Sequence, residues 1–253
     1  MDAEPQIEAA VYWSREYNTK ARFCSFWHQL DEVLNLGART VLEIGPGAGL
    51  VTDWLRRADV AVTTCDIDAD VEPDLAASVT RLPLADDSFD AVVCCEVLEH
   101  LPLADVPVAL AEIARVAPAA VISVPDQTPW MGAEYPLYFG LHVNRIRERM
   151  PASRAVLARE LWAGRIRIRD YLFARFVPAR FAFGGPRWEP SRMPIPHQPA
   201  AHEFDGQHYW ELGTQGHPPD WMNSALARAG LQTVKEYRVA QNPWHHFFVA
   251  HRA

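Results

Sequence analysis

The string VLEIGPGAG, Val41 to Gly49, constrains this chain more than any other stretch of it. An apolar, β-branched run leads into glycines at every second position. Leu50, Val51, Trp54 and Leu55 then fall at helical spacing. Strand, glycine turn and helix follow one another, and a ligand can lie against main-chain N–H groups there with no Cβ in the way. The turn does not fit the dinucleotide fingerprint Gly-x-Gly-x-x-Gly, whose third glycine would fall at Leu50. It carries an acid, Glu43, two residues before the first glycine, which suits a cationic ligand better than a pyrophosphate.

Further strand-like runs follow: Val60 to Cys65 ending at Asp66, Phe89 to Cys95, and Ala120 to Val124 stopped by Pro125. They alternate with helical stretches, as in a parallel sheet buried on both faces. Pro73 lies where a second helix is due and argues for a shortened one. Before the glycine turn, Tyr12, Trp13, Tyr17, Phe23, Phe26, Trp27 and Leu30 recur near helical spacing up to a capping Gly37. Beyond Pro125 the alternation stops. A helical patch over Ala152 to Ala163 and a Pro-, Gly- and His-rich loop over Phe183 to Gln207 read as an insertion. A helix from Trp221 and two strands, Leu231 to Val239 and His245 to His251, close the chain, with His245 and His246 at a strand end. Three segments are therefore expected: an N-terminal helical cap over 1–37, a cofactor-binding domain over 38–125 and 220–253, and an insertion over 126–219 that forms a substrate lid.

The 253 residues, 49% hydrophobic and 22% charged, suffice for such a core. No run is long and apolar enough to span a bilayer, and the start lacks a basic-then-apolar leader, so the chain reads as cytoplasmic. Its four cysteines, Cys24, Cys65, Cys94 and Cys95, have no C-x-x-C spacing, and its ten histidines have no H-x-x-x-H spacing. The pattern thus offers neither a disulfide framework nor a metal site. A net charge of −8 disfavours nucleic acid as a partner. Between Arg145 and Arg192, however, twelve arginines face four acidic residues. Arg165, Arg167 and Arg169 alternate with isoleucine there, as a lid gripping an anionic acceptor would require. The same arginines suit a solvated face paired with Glu148, Glu160 and Asp170, or peripheral contact with an anionic membrane.

Taken together, these motifs resemble the class I S-adenosylmethionine-dependent methyltransferases, in the type 11-like branch that acts on small molecules. The resemblance rests on Glu43, Gly45, Gly47 and Gly49, on Asp66 ending the second strand, and on LPLADDSFDAVVCCEVLEHLP, Leu82 to Pro102. It implies an α/β, Rossmann-like fold: a seven-stranded, mostly parallel sheet with helices on both faces and an antiparallel final strand, plus the helical and loop insertion. Six of those strands are visible in the pattern; the third, near Ser78, comes from the resemblance alone. It implies S-adenosyl-L-methionine as cofactor, with the aminoacyl end at the glycine turn, the ribose at Asp66 and Ile67, the adenine near Ser78 and Val79, and the methionine end at Cys95 and Glu96. Where many relatives have an acid for the adenine amino group, this chain has Ser78.

The implied function is methyl transfer to a small-molecule or glycan acceptor, with oxygen as the favoured nucleophile and an anionic group as a favoured feature. His100, after the fourth strand, and His208, in the run HYWELGTQGHPP, are the candidate catalytic bases. Tyr209 and Trp210 join the arginines as candidate substrate contacts, and Trp130, Tyr135, Tyr138, Trp188 and Trp221 as candidate stacking residues or packing. The alternative from another class is a cofactor-binding but non-catalytic partner or scaffold. A nicotinamide oxidoreductase is disfavoured by Leu50 and Glu43.

Overall fold

The computed structural model describes residues 8–129 and 199–252. Seven strands form one sheet: β1 (Thr40–Ile44), β2 (Ala61–Asp66), β3 (Leu75–Ala76), β4 (Ala91–Cys95), β5 (Ala119–Pro125), β6 (Leu231–Val239) and β7 (Asn242–Arg252). Their order is β3-β2-β1-β4-β5-β7-β6. The pairs β1–β2, β1–β4, β2–β3 and β4–β5 run parallel, while β7 runs antiparallel to both β5 and β6. The inferred third strand exists but has two residues, just before Ser78, and pairs with Cys65 and Asp66.

Every residue of β4 and β5 is buried, so the apolar runs that marked them reflect cover on both faces. Successive side chains point to opposite faces. Leu42, Ile44, Ile122 and Phe248 enter one core with Leu110 and Ile113, and Val41, Val93, Val121 and Phe247 enter the other with Leu55. Each such side chain contributes about 1.5–3 kcal/mol when fully buried.

Helices α1 (Lys20–Leu36), α2 (Leu50–Arg57), α3 (Val106–Val116) and α4 (Trp221–Arg228) pack around this sheet. The Thr19 side chain accepts the Arg22 amide at 3.2 Å to start α1, and Gly37, at φ +67°, ends it in the left-handed cap foreseen in the sequence. In α2, Val51, Thr52 and Leu55 are the buried residues, whereas Trp54 is exposed. The expected apolar face is thus rotated towards Thr52, because that hydroxyl is needed beneath the glycine turn. Between β2 and β3 the chain makes only a short 3-10 turn, Ala69–Val71, in place of a second full helix.

The expected insertion over 126–219 is described at its two ends only; residues 130–198 lie outside the described residues. Its last stretch joins the sheet. Leu212 donates its amide to the Pro125 carbonyl at 3.0 Å and accepts from the Gln127 amide at 2.8 Å, and Trp210 and Leu212 enter the first core.

His245 and His246, read as a strand end, lie within β7 and are both buried. β7 is inserted between β5 and β6, so His246 is walled in on both sides. Its Nδ1 donates to Asp126 Oδ2 at 2.8 Å, its Nε2 lies 3.0 Å from Glu236 Oε1, and Arg238 closes on Asp126 at 3.6 Å. All four cysteines are free thiols, Cys24 partly exposed and the other three buried. No helix among the described residues is long and apolar enough to cross a membrane.

Candidate functional site

The strand order reverses between β1 and β4, and in open α/β sheets the crevice beyond the carboxyl ends of the strands at such a point holds the ligand. A cavity of about 310 Å³ lies there. Its floor is the glycine turn. Gly45 sits at φ +72° and donates its amide to the Cys65 carbonyl at 2.9 Å, and a Cβ on it would collide with the Val97 side chain. A Cβ on Gly47, at φ +52°, would lie 3.3 Å from the Tyr12 ring. The N-terminal segment therefore closes on the turn, and Tyr12, Tyr17 and Phe26 line the cavity. Replacing Gly45 by alanine should lower stability by about 1–3 kcal/mol, from the left-handed backbone and the collision with Val97, and weaken ligand binding with it. A urea titration beside a binding isotherm checks both.

Glu43 points under the turn and accepts a hydrogen bond from the Thr52 hydroxyl. Burial pushes its pKa up to about 7, against the opposing pull of Thr52 and Arg56. Its charge near neutral pH is thus easily restored by a nearby cation. Asp66 ends β2 at the cavity wall, where its Oδ1 accepts the Asp68 amide at 2.9 Å. Burial, with the Asp68 charge, raises its pKa, although the amides of Asp68 and Ile67 oppose the shift. Ile67, Ser78, Val79, Cys95 and Glu96 also line the cavity. Ser78 Oγ lies 2.8 Å from Thr80 Oγ1, which leaves it competent for a further bond. Gly49, the third glycine, is not at the wall; at φ +70° it caps the start of α2.

Glu96 has φ +57°, an uncommon backbone for a residue with a side chain. Its carboxylate accepts the Ser123 hydroxyl at 2.7 Å and faces His245 Nε2 at 3.5 Å. One short turn on, Leu98–His100, Glu99 is fully buried, and among the described residues both its carboxylate oxygens lack a hydrogen-bond partner. Burial first, then the charge of Glu96, holds its pKa well above the usual carboxylate range. The sequence signal for Glu99 was its place in the Leu-Glu-His string beside a histidine already singled out; its isolation was invisible there.

The two candidate histidines, distant in sequence, come together at this wall with ring centroids 5.1 Å apart. His100 Nδ1 donates to the Gln207 carbonyl at 3.0 Å, and His208 Nδ1 donates to Glu211 Oε1 at 2.6 Å. A carbonyl only accepts, so the Gln207 contact places the His100 proton on Nδ1. Burial lowers the His100 pKa. Burial alone would lower that of His208 too, but Glu211 and Asp205 outweigh it and raise it.

The aromatic neighbours of His208 behave otherwise. Trp210, a candidate substrate contact, is 1% exposed and packs 4.9 Å from Trp221 in the core, because its backbone runs beside β5 and turns the ring inward. Tyr209 stacks on Phe204 at 4.4 Å and donates its amide to the Glu99 carbonyl. Arg165, Arg167, Arg169, Trp130, Tyr135, Tyr138 and Trp188 lie outside the described residues.

A family model described as a methyltransferase domain matches residues 42–119, from β1 to the start of β5. No curated protein matches the chain in sequence. Among solved structures, the 1,6-didemethyltoxoflavin-N1-methyltransferase of Burkholderia thailandensis, crystallised with 1,6-didemethyltoxoflavin and S-adenosylhomocysteine, is similar over 93% of this chain and 80% of its own, with 16% identity and a TM-score of 0.52. The magnesium protoporphyrin IX methyltransferase of Synechocystis PCC 6803, with bound S-adenosylhomocysteine, is similar over 96% of this chain and 94% of its own, at 13% identity and a TM-score of 0.51. The N-methyltransferase NodS of Bradyrhizobium japonicum WM9, also with S-adenosylhomocysteine, is similar over 95% and 91%, at 13% identity and a TM-score of 0.51. At such identities the likeness establishes the fold.

Proposed function

We propose that this chain, an S-adenosylmethionine-dependent methyltransferase by its matched domain and its fold, methylates a hydroxyl of a small-molecule or glycan acceptor in the cytoplasm. One observation carries the reading. The same cavity is lined by Gly45, Gly47 and Asp66 on one side and by His100 and His208 on another. The residues fit the cofactor: a glycine cradle that a Cβ would fill, an acid at the end of β2, and a second acid, Glu43, suited to a cationic group.

When bound, the cofactor supplies an activated methyl group on a sulfonium. The chain's own part is positioning and proton handling. Asp66 accepts from the ribose hydroxyls, with Ile67 beside it, and Ser78 and Val79 border the adenine. Cys95 and Glu96 bound the methionine end. His100 and His208 meet the acceptor. The Gln207 carbonyl places the His100 proton on Nδ1, and in the neutral His208 ring Glu211 does the same, so in that form the lone pair is on Nε2. Arg165, Arg167 and Arg169 are assigned to an anionic group of the acceptor, and the part of 126–219 that carries them to a substrate lid.

The test is transfer of label from methyl-labelled S-adenosylmethionine into fractionated extract of a host lacking the gene. Label should enter a polar small-molecule or glycan fraction, and the His100→Ala, His208→Ala double variant should lose about 10²-fold or more in rate. Cofactor binding with no label in any fraction would favour the non-catalytic scaffold instead.

A further inference from the structure

We infer that Glu99, His100 and His208 form a binding site for a first-row divalent transition-metal ion at the acceptor end of the cavity. The inference rests on the functional reading above and specifies how those two histidines serve it. One potential ligand atom from each of the three residues lies within 4.8 Å of the others. Two donors on one ion at about 2.1 Å stand roughly 3–3.5 Å apart, so modest side-chain rotation closes the set.

Three independent features point to a cation. First, Glu99 is fully buried in the cavity wall, and neither carboxylate oxygen has a hydrogen-bond partner among the described residues. An unpaired carboxylate held this deep is costly unless a positive charge meets it. Second, both imidazoles are oriented as metal ligands are. A metal-bound histidine donates its other ring N–H to a carboxylate or a backbone carbonyl, which fixes the ring and its tautomer. His208 donates to Glu211 at 2.6 Å and His100 to the Gln207 carbonyl at 3.0 Å. Glu211 is itself buried and held by Gln127. Third, the loop carrying His208 is tied to the turn carrying the other two donors, since the Tyr209 amide donates to the Glu99 carbonyl at 2.8 Å. The backbones carrying the three donors are therefore held together before any ion arrives, and only side-chain rotation remains.

Two imidazoles and one carboxylate favour zinc, iron, cobalt or manganese over magnesium or calcium, which take all-oxygen sets. Glu96, whose carboxylate lines the same cavity, adds negative charge nearby. An ion here would hold the acceptor's oxygen and ease loss of its proton, so the histidines would act as ligands rather than as the base. The histidine spacing in the sequence gave no hint of this, because His100 and His208 are joined only by the fold.

The test uses the full chain stripped with a chelator. Zinc titrated by calorimetry should bind with a stoichiometry of one, and Co2+ should give visible d–d absorption. Glu99→Gln should weaken zinc binding by about 10–100-fold, while Asp59→Asn, an exposed carboxylate in the turn between α2 and β2 that does not line the cavity, should leave it unchanged. Affinity for S-adenosylhomocysteine should persist in both variants, which shows that they fold. No stoichiometric zinc in the wild-type chain, or equal zinc affinity in Glu99→Gln, overturns the metal site and leaves the methyltransferase reading intact. Failure of the stripped wild-type chain to bind S-adenosylhomocysteine would count against the methyltransferase reading instead.

Discussion

Asp66→Ala should weaken binding of S-adenosylhomocysteine by about 30- to 1000-fold. A carboxylate accepting from two hydroxyls makes two charge-assisted hydrogen bonds, each worth about 1.5–3 kcal/mol, and part of that range survives after solvent replaces the lost contacts. The residue is fixed for the task. β2 delivers it to the cavity wall, and the Asp68 amide at 2.9 Å holds one oxygen. Its raised pKa adds a pH dependence. The carboxylate is charged above that pKa and is protonated as pH falls through it. Affinity should therefore drop on acidification sooner than an ordinary aspartate would allow, and Asp66→Asn should remove the Asp66 share of the drop and leave that of Glu43. Isotherms at several pH values check both statements.

The second large effect concerns stability. His246→Ala should cost about 3–5 kcal/mol, because it strands Asp126, which is 1% exposed, and removes a partner of Glu236. Burial opposes charging of His246, but Asp126 and Glu236 outweigh it and raise its pKa. Burial likewise opposes ionisation of Asp126, yet His246, Thr128 and Arg238 hold its pKa below the usual range. The two signs differ. The Asp126 contribution is complete above its unfolded pKa and is lost as pH falls through the depressed folded value. The His246 contribution is complete below its unfolded pKa and is lost as pH rises through the elevated folded value. The pair thus stabilises most between about pH 4 and 6.5. Urea midpoints across pH should show this maximum in the wild type and a flatter profile in His246→Ala.

Local pattern revealed much of this molecule. The fully buried strands β4 and β5 declared themselves as apolar runs, Gly37 as a cap, and the turn from Glu43 to Gly49 as a ligand cradle. The short 3-10 turn after β2 was foreshadowed by Pro73. What stayed hidden depends on partners far along the chain. Nothing near His246 shows that β7 slips between β5 and β6 and brings it Asp126 and Glu236. Trp210 reads in the sequence as a candidate substrate contact or as packing, and only the pairing of Leu212 beside Pro125 turns it inward. The same holds for Glu99, whose burial is set by a loop a hundred residues away in the chain. Glu43, Gly45, Gly47, Asp66, Cys95 and Glu96 lie at the cavity wall, whereas Gly49 starts α2. Trp210, named from the His-Tyr-Trp run, lies instead in the core.

Titrating the purified chain with S-adenosylhomocysteine by calorimetry tests the central claim most directly. The account predicts one site of about micromolar affinity, no competition by NAD, and loss of the heat in Asp66→Ala. No binding by the wild-type chain, or displacement of S-adenosylhomocysteine by NAD, would contradict it.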